Sequence, residues 1–296
     1  MTNCIRRRRY RLLADFNTVH SFLTDIYSLD TLNSYLLPQF FEYAHTHPFF
    51  NHKLTHRFGL WEDDNGKLVG IACYEMDMGE SFLVTDREHA FLLPEMLAYA
   101  EEELSVKNNS KHTLSVWVTD KETDKIELLL QNGYRKVHTE PVRIFPYSKP
   151  FMDLKLPEGY SIISLEEEND YRKIHECLWK GFNNGDNPDD DIDCRILMQS
   201  GPNFRKDLTT VIKAPNGDYA CFAGIWFDER NKYAYLEPLA TAPEYRRMGL
   251  ATIALTAGMK KTKALGATYC FGGVPEFYTA IGFDTICCRE MWRKEW

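Results

Sequence analysis

Tyr235-Leu236-Glu237-Pro238-Leu239-Ala240-Thr241-Ala242-Pro243-Glu244-Tyr245-Arg246-Arg247-Met248-Gly249-Leu250-Ala251 is the stretch on which the reading of this chain turns. It opens as an apolar strand, turns at Ala242-Pro243 and runs into good helix formers: Ala254, Leu255, Ala257, Met259, Lys260 and Lys261. A strand that feeds a helix start through a glycine loop is a ready anion site. Free backbone N–H groups point out of the helix, and its dipole is positive there. Gly249 lets the backbone come close to a phosphate, Arg246 and Arg247 add fixed positive charge, and Ala251 is too small to block the approach. These residues describe a pyrophosphate cradle.

Working outward, the surroundings of this segment occur twice. Phe58–Tyr74 and Thr210–Phe227 each read as apolar strand, Asn-Gly turn, apolar strand, with the turns at Asn65-Gly66 and Asn216-Gly217. Asn-Gly supplies the positive φ angles of a tight hairpin. A second shared mark follows at nearly the same distance: 67 residues from Gly66 to Gly133, and 65 from Gly217 to Gly282. Each of these glycines closes a helical pattern and precedes an aromatic, Tyr134 or Phe283. Between the two marks each copy reads strand, long helix, strand, helix. The helices are expected over about 88–105 and 120–131 in the first copy, and about 247–265 and 275–280 in the second.

The chain of 296 residues therefore reads as two α/β domains of one fold, 1–150 and 158–296. Pro146-Tyr147-Ser148-Lys149-Pro150 and Leu156-Pro157-Glu158-Gly159 read as the linker.

Arg246-Arg247-Met248-Gly249-Leu250-Ala251 resembles the signature of the GNAT N-acetyltransferase superfamily, Gln/Arg-x-x-Gly-x-Gly/Ala. Phe277-Tyr278-Thr279-Ala280-Ile281-Gly282-Phe283 is similar to the family's later Phe/Tyr-Tyr-x-x-x-Gly-Phe segment. Order and separation both fit. The resemblance implies an α/β (α+β) architecture of two GNAT-like domains, each a mixed, mostly antiparallel sheet flanked by helices. It implies acetyl-CoA as co-substrate, its pyrophosphate on Arg246, Arg247, Met248, Gly249, Leu250, Ala251 and Thr252. The pantetheine arm would pair with the backbone of Leu239, Ala240 and Thr241. The implied reaction is direct transfer of acetyl to a primary amine of a small molecule or peptide. Another acyl-CoA or acceptor class, or an acyl-CoA sensor without catalysis, are the alternatives. The first copy departs from the signature. Its counterpart, Ser81-Phe82-Leu83-Val84-Thr85-Asp86-Arg87-Glu88, lacks glycine, and Asp86 and Glu88 would repel a pyrophosphate. It resembles the degenerate half of a tandem GNAT protein.

Two residues carry the expected proton transfers. Glu237 lies on the strand that would line the acceptor site, and a carboxylate in reach of an ammonium can act as general base. The competing reading is a carboxylate that pairs with a cation or faces solvent. Pro238 cannot donate a ladder bond, which fits a splayed strand. The family resemblance gives Tyr278 the protonation of the leaving CoA thiolate, against a plain packing role. A backbone N–H near Leu239 is the expected oxyanion donor.

The net charge of −8 argues against nucleic acid. The Arg6–Arg11 run reads as a lead-in to the first strand or a solvated terminus. No stretch reaches the roughly 20 apolar residues of a membrane helix, and no apolar run follows the basic N-terminus as in a signal peptide. The eight cysteines form no Cys-x-x-Cys pair and mostly sit in apolar segments, which fits buried thiols in the cytoplasm. His45, His47, His52 and His56 cluster among phenylalanines and read as packing, so no metal site is expected. Asp186–Asp193 falls where the family's acceptor loop lies. It reads as a cation-favouring loop or, equally, as a solvated helix start. The oligomeric state and the acceptor's identity are not legible.

Overall fold

A computed structural model describes residues 5–296 and divides the chain into two compact units. Cys4 lies outside the described residues. The first unit comprises Met1–Pro141 with Cys287–Trp296, the second Val142–Ile286.

The first unit runs β1 (Arg6–Arg9), α1 (Leu12–Asp25), α2 (Pro38–His45), β2 (Gly59–Glu62), β3 (Leu68–Cys73), β4 (Glu80–Thr85), α3 (Leu93–Glu103), β5 (Val106–Asn108), β6 (Lys111–Thr119), α4 (Thr123–Gln131) and the start of β7 (Arg135–Pro146). Its strands pair in the order β1-β2-β3-β4-β6, with β5 also on β6. The second unit starts with the end of β7 and continues through β8 (Ser161–Ser164), α5 (Tyr171–Gly181), α6 (Asp193–Met198), β9 (Thr210–Lys213), β10 (Tyr219–Asp228), β11 (Tyr233–Thr241), α7 (Leu250–Ala264), β12 (Tyr269–Gly272), α8 (Glu276–Ala280) and the start of β13 (Asp284–Glu295). Its order is β8-β9-β10-β11-β12-β7. Among the described pairings each unit has one parallel pair, β4–β6 and β11–β12, and is otherwise antiparallel. In each, a helix (α3 or α7) makes the crossover that a parallel pair requires.

The units are not the linear segments 1–150 and 158–296. Pairing partners decide where a strand belongs. Arg143–Pro146 of β7 pairs with Tyr269–Gly272, and Arg289–Glu295 of β13 pairs with Thr113–Thr119. Phe145 and Tyr147 accordingly sit in the second unit's core with Ile225, Leu236, Leu255 and Phe283. The stretch read as a linker is thus partly core, and Phe151 stacks on Phe145 at 5.5 Å.

Both hairpins form, and they close in the same way. Gly66 N–H donates to Asp63 O and Gly217 N–H to Ala214 O, each at 2.9 Å. Only the glycines have positive φ, 77° and 91°; the asparagines do not, so each turn uses one left-handed residue rather than two. The helix ends also match. Tyr134 N–H donates to Leu129 O and Phe283 N–H to Tyr278 O, each at 3.0 Å. One expected helix is shorter than its pattern. Residues 87–92 form a 3-10 turn, and α3 begins only at Leu93 with Pro94 in its first turn.

Arg6–Arg9 is a strand on β2 rather than a free arm. Arg8 bonds both Glu62 and Asp15, and Arg11 bonds Asp15. Burial alone would raise the Asp15 carboxyl, but the hydrogen bonds from Arg11 and Arg8 outweigh it and hold the group at about 2.

Candidate active site

The site is built on β11. Its pairing with β12 covers only Tyr233–Tyr235, so Leu236–Thr241 leave β12 and keep β10 as their described strand partner. On the β10 side the register jumps from Leu239↔Ala223 to Leu236↔Ile225, which sets Glu237 and Pro238 opposite the single residue Gly224. This is a β-bulge, and bulges re-aim side chains beside active sites. Gly224 is required for it, since a Cβ there would stand 2.5 Å from Glu237 O. Trp226 Nε1–H donates to that same carbonyl at 3.0 Å. Glu237 is half-buried. Of the residues read as pairing with pantetheine, Ala240 is buried and Leu239 and Thr241 are half-buried.

Beyond Thr241 a short turn leads to the start of α7. Arg247 and Gly249 both have left-handed backbone, φ 64° and 76°. An arginine in that region is uncommon, and such residues concentrate at binding sites. The α7 N-terminus has no side-chain cap, so its first amides are available to an anion. A Cβ on Gly249 would meet Leu154 Cδ1 at 3.1 Å. Leu250 and Thr252 are buried and Ala251 is half-buried, so they offer mainly backbone N–H groups. Arg247 and Met248 are exposed. Arg246, also exposed, braces the loop with part of its guanidinium. Its guanidinium donates to Thr241 O, Gly181 O and Asn183 Oδ1 at 2.9–3.1 Å, tying the end of α5 to the end of β11.

Tyr278, on α8, is buried against Gly272 and Gly273. A Cβ on Gly273 would come within 3.0 Å of its hydroxyl. Burial raises the phenol's pKa, and the nearby Glu237 charge raises it further, while a hydrogen bond with the Gly273 backbone works the other way. The phenol therefore stays protonated at neutral pH, as a proton donor must.

The sequence profile of the Acetyltransferase (GNAT) family matches residues 171–283. These residues form a GNAT domain. No curated protein matches the sequence. Among solved structures, the GCN5-related N-acetyltransferase of Sphaerobacter thermophilus aligns over 98% of this chain and 95% of its own, with TM-score 0.61 at 15% identity. A tandem GNAT protein of the clavulanic acid biosynthesis pathway aligns over 99% and 98%, with TM-score 0.65 at 12% identity. The Saccharomyces cerevisiae N-myristoyltransferase with bound myristoyl-CoA aligns over 98% and 79%, with TM-score 0.57 at 11% identity. At such identities the likeness is one of fold, and it extends over both units: the chain has the fold of a tandem GNAT protein with a divergent N-terminal copy. Acyl transfer from acyl-CoA is the chemistry of the family.

In the divergent copy the protein's own groups bond one another within the counterpart of the GNAT cleft, beside a cavity of about 470 Å³ lined in part by Thr85, Asp86, Glu122 and Lys125. β4 and β6 pair over Glu80–Phe82, as β11 and β12 do over Tyr233–Tyr235. Just past that point Lys125 Nζ donates to Leu83 O at 2.7 Å, and also to Ser34 Oγ and Glu122 Oε1. β4 pairs with β3 in unbroken register from Phe82 to Thr85, without a bulge. At the helix start the Asp86 carboxylate accepts from His89 N–H at 3.0 Å, an internal anion where the GNAT domain leaves amides free.

The remaining expected features resolve as follows. Asp189 holds His175 at 3.1 Å and Asp190 faces Arg172 at 3.4 Å, so part of the acidic loop is used internally. α6 begins at Asp193. His45 packs between Phe41 and Phe50, with ring centroids at 4.3 and 4.4 Å. His52 and His56 lie in a 3-10 helix, not on one face of an α-helix. No helix among the described residues is long and apolar enough to cross a membrane. The seven described cysteines are free, and six are buried.

Proposed function

We propose that the GNAT domain binds acetyl-CoA and transfers its acetyl group to a primary amine by direct attack. The reading rests above all on one observation: β11 leaves β12, bulges at Glu237-Pro238, and leads through left-handed Arg247 and Gly249 into an uncapped α7. In this reading the α7 amides and Arg247 take the pyrophosphate, and the backbone of Leu239–Thr241, past the end of the β12 pairing, pairs with pantetheine. Arg246 shapes the loop and stands with Arg247 at the pyrophosphate.

Chemistry follows from the two titratable groups. Glu237 takes a proton from the acceptor ammonium, directly or through a water. The amine nitrogen then attacks the thioester carbonyl, whose oxyanion is met by a backbone N–H near Leu239. The carbon–sulfur bond breaks, and Tyr278 gives its proton to the departing thiolate. No covalent enzyme intermediate forms. The acceptor is an amine of a small molecule or peptide. The six buried free cysteines fit a cytoplasmic setting.

The test is acetyl-CoA thiol release against polyamines, aminoglycosides, amino acids and peptide N-termini. Amine-dependent release of CoA supports the proposal. Turnover only with longer acyl-CoA, or tight CoA binding without turnover on any amine, would replace it with one of the two alternatives.

A further inference from the structure

Arg143 lies outside the segment matched by the GNAT family and ahead of the boundary that the sequence marks. It belongs to the second unit because β7 pairs with β12, Arg143 standing opposite Gly272. Its side chain is 5% exposed. From there the guanidinium reaches the turn between β12 and α8. Nη1 donates to the carbonyls of Gly273 at 3.4 Å, Val274, and Pro275 at 3.3 Å, and Nη2 to Glu276 Oε1 at 3.1 Å. Three consecutive carbonyls and the first side chain of α8 are thus held by one rigid, permanently charged fork. Its Nε is buried without a hydrogen-bond partner, an uncompensated desolvation that packing alone would not favour.

That turn is the seat of Tyr278. The ring lies where a Cβ on Gly272 or Gly273 would come within 2.9 or 2.7 Å of it, and a Cβ on Gly273 would stand 3.0 Å from the hydroxyl. The peptide groups around Gly273 are the ones whose carbonyls Arg143 grips. We propose that Arg143 is the positioning residue for Tyr278: it fixes the Gly273–Pro275 turn, against which the ring packs, so that the phenol hydroxyl faces the leaving thiolate. This rests on the reading of Tyr278 as the proton donor. The guanidinium itself transfers no proton.

The experiment is a double-mutant cycle in the full chain, Arg143→Lys with Tyr278→Phe. It is read as kcat with acetyl-CoA and the fastest amine of the screen, or with water as acceptor if no amine reacts. Lysine keeps the charge but can reach only part of the turn. Arg143→Lys should lower kcat by about 10-fold while acetyl-CoA Kd stays within about 2-fold, and in the Tyr278→Phe background it should change kcat by less than about 2-fold. Equal losses in both backgrounds, or a Kd that weakens in step with kcat, would overturn the positioning role. If Arg143→Lys does not fold, Glu276→Ala replaces it. That carboxylate is 88% exposed, and its loss frees only the outer tine of the fork. It should cost about 2–3-fold in kcat, again only when Tyr278 is present; no effect, or the same effect in both backgrounds, would overturn the role. Wild-type turnover in Tyr278→Phe alone would instead remove the proton-donor reading beneath it.

Discussion

Set side by side, the two halves of this protein share a fold and differ at the place where a strand parts from its parallel neighbour. Both have a strand that parts from its parallel neighbour and runs toward a helix. In the C-terminal half the strand bulges, Leu239–Thr241 run past the end of the β12 pairing with Arg246 on Thr241 O, and the helix start carries Gly249 and no side-chain cap. In the N-terminal half the register is unbroken, Lys125 bonds the carbonyl just past the parting point, and Asp86 caps the helix start. Backbone groups in a buried cleft need partners. In the N-terminal copy Lys125 and Asp86 supply such partners; in the C-terminal copy Arg246 supplies one, and the start of α7 has no side-chain cap. The difference lies in internal bonding, one lysine and one aspartate in the N-terminal copy, and not in a collapse of the fold.

The comparison breaks most sharply at Gly249. Gly249→Glu should weaken acetyl-CoA by more than about 100-fold, because it puts a carboxylate at the pyrophosphate and forces a side chain into left-handed backbone. Asp86→Gly in the other copy should leave affinity unchanged. Calorimetry on both variants reads the contrast.

Next come the proton-transfer residues. Glu237→Gln and Tyr278→Phe should each lower kcat/KM by about 10²–10⁴-fold. The Glu237→Gln loss should be deepest at low pH and shrink as pH approaches the amine's own pKa, where free amine needs no base. Burial and the Glu237 charge raise the Tyr278 pKa. The donor therefore stays protonated, and the wild-type rate should not fall on the alkaline side until above the ordinary tyrosine value of about 10. Rates above half of wild type across the whole pH range would leave only positioning and the oxyanion amide.

Lys125→Met sharpens the comparison from the other side. It removes the cation from half-buried Glu122, which keeps its bonds from Ser34 and Thr119, and leaves Leu83 O without the lysine, so it should cost about 1–3 kcal/mol in the N-terminal unit. Thermal unfolding should show that loss while acetyl-CoA affinity stays the same. Appearance of a second CoA site in this variant would mean that Lys125 alone excludes the ligand.

Much of this was legible in the sequence, because its determinants are local. The Asn-Gly hairpins, the Gly133 and Gly282 helix ends and the Gly249 loop each lie within one turn's reach along the chain. Arg143 was not legible, as it acts across 130 residues on Gly273. Lys125 reads in sequence as any lysine on an amphipathic helix. The shared origin of the units' strands was hidden too, since β7 and β13 carry no mark of where their ends pair. Arg246 matched the signature yet serves Gly181 and Asn183, contacts that only folding creates.

The smallest expected effect lies far from the cleft, at Asp15. Its carboxyl is held at about 2 by Arg11 and Arg8 against the opposing pull of burial. A folded value below the unfolded one of about 3.9 gives stability that is present above pH 4 and lost as pH falls toward 2. After screening, the contribution is about 1–2 kcal/mol. Acid unfolding of Asp15→Asn should lack that part of the pH dependence in the N-terminal unit, with acetyl-CoA binding untouched.

The most direct test of the central claim, that acetyl-CoA binds the C-terminal copy and not the other, is calorimetric titration of the full chain with acetyl-CoA. The account predicts one site per chain, absent in Gly249→Glu. Two sites per chain, or one site that survives Gly249→Glu, would contradict it.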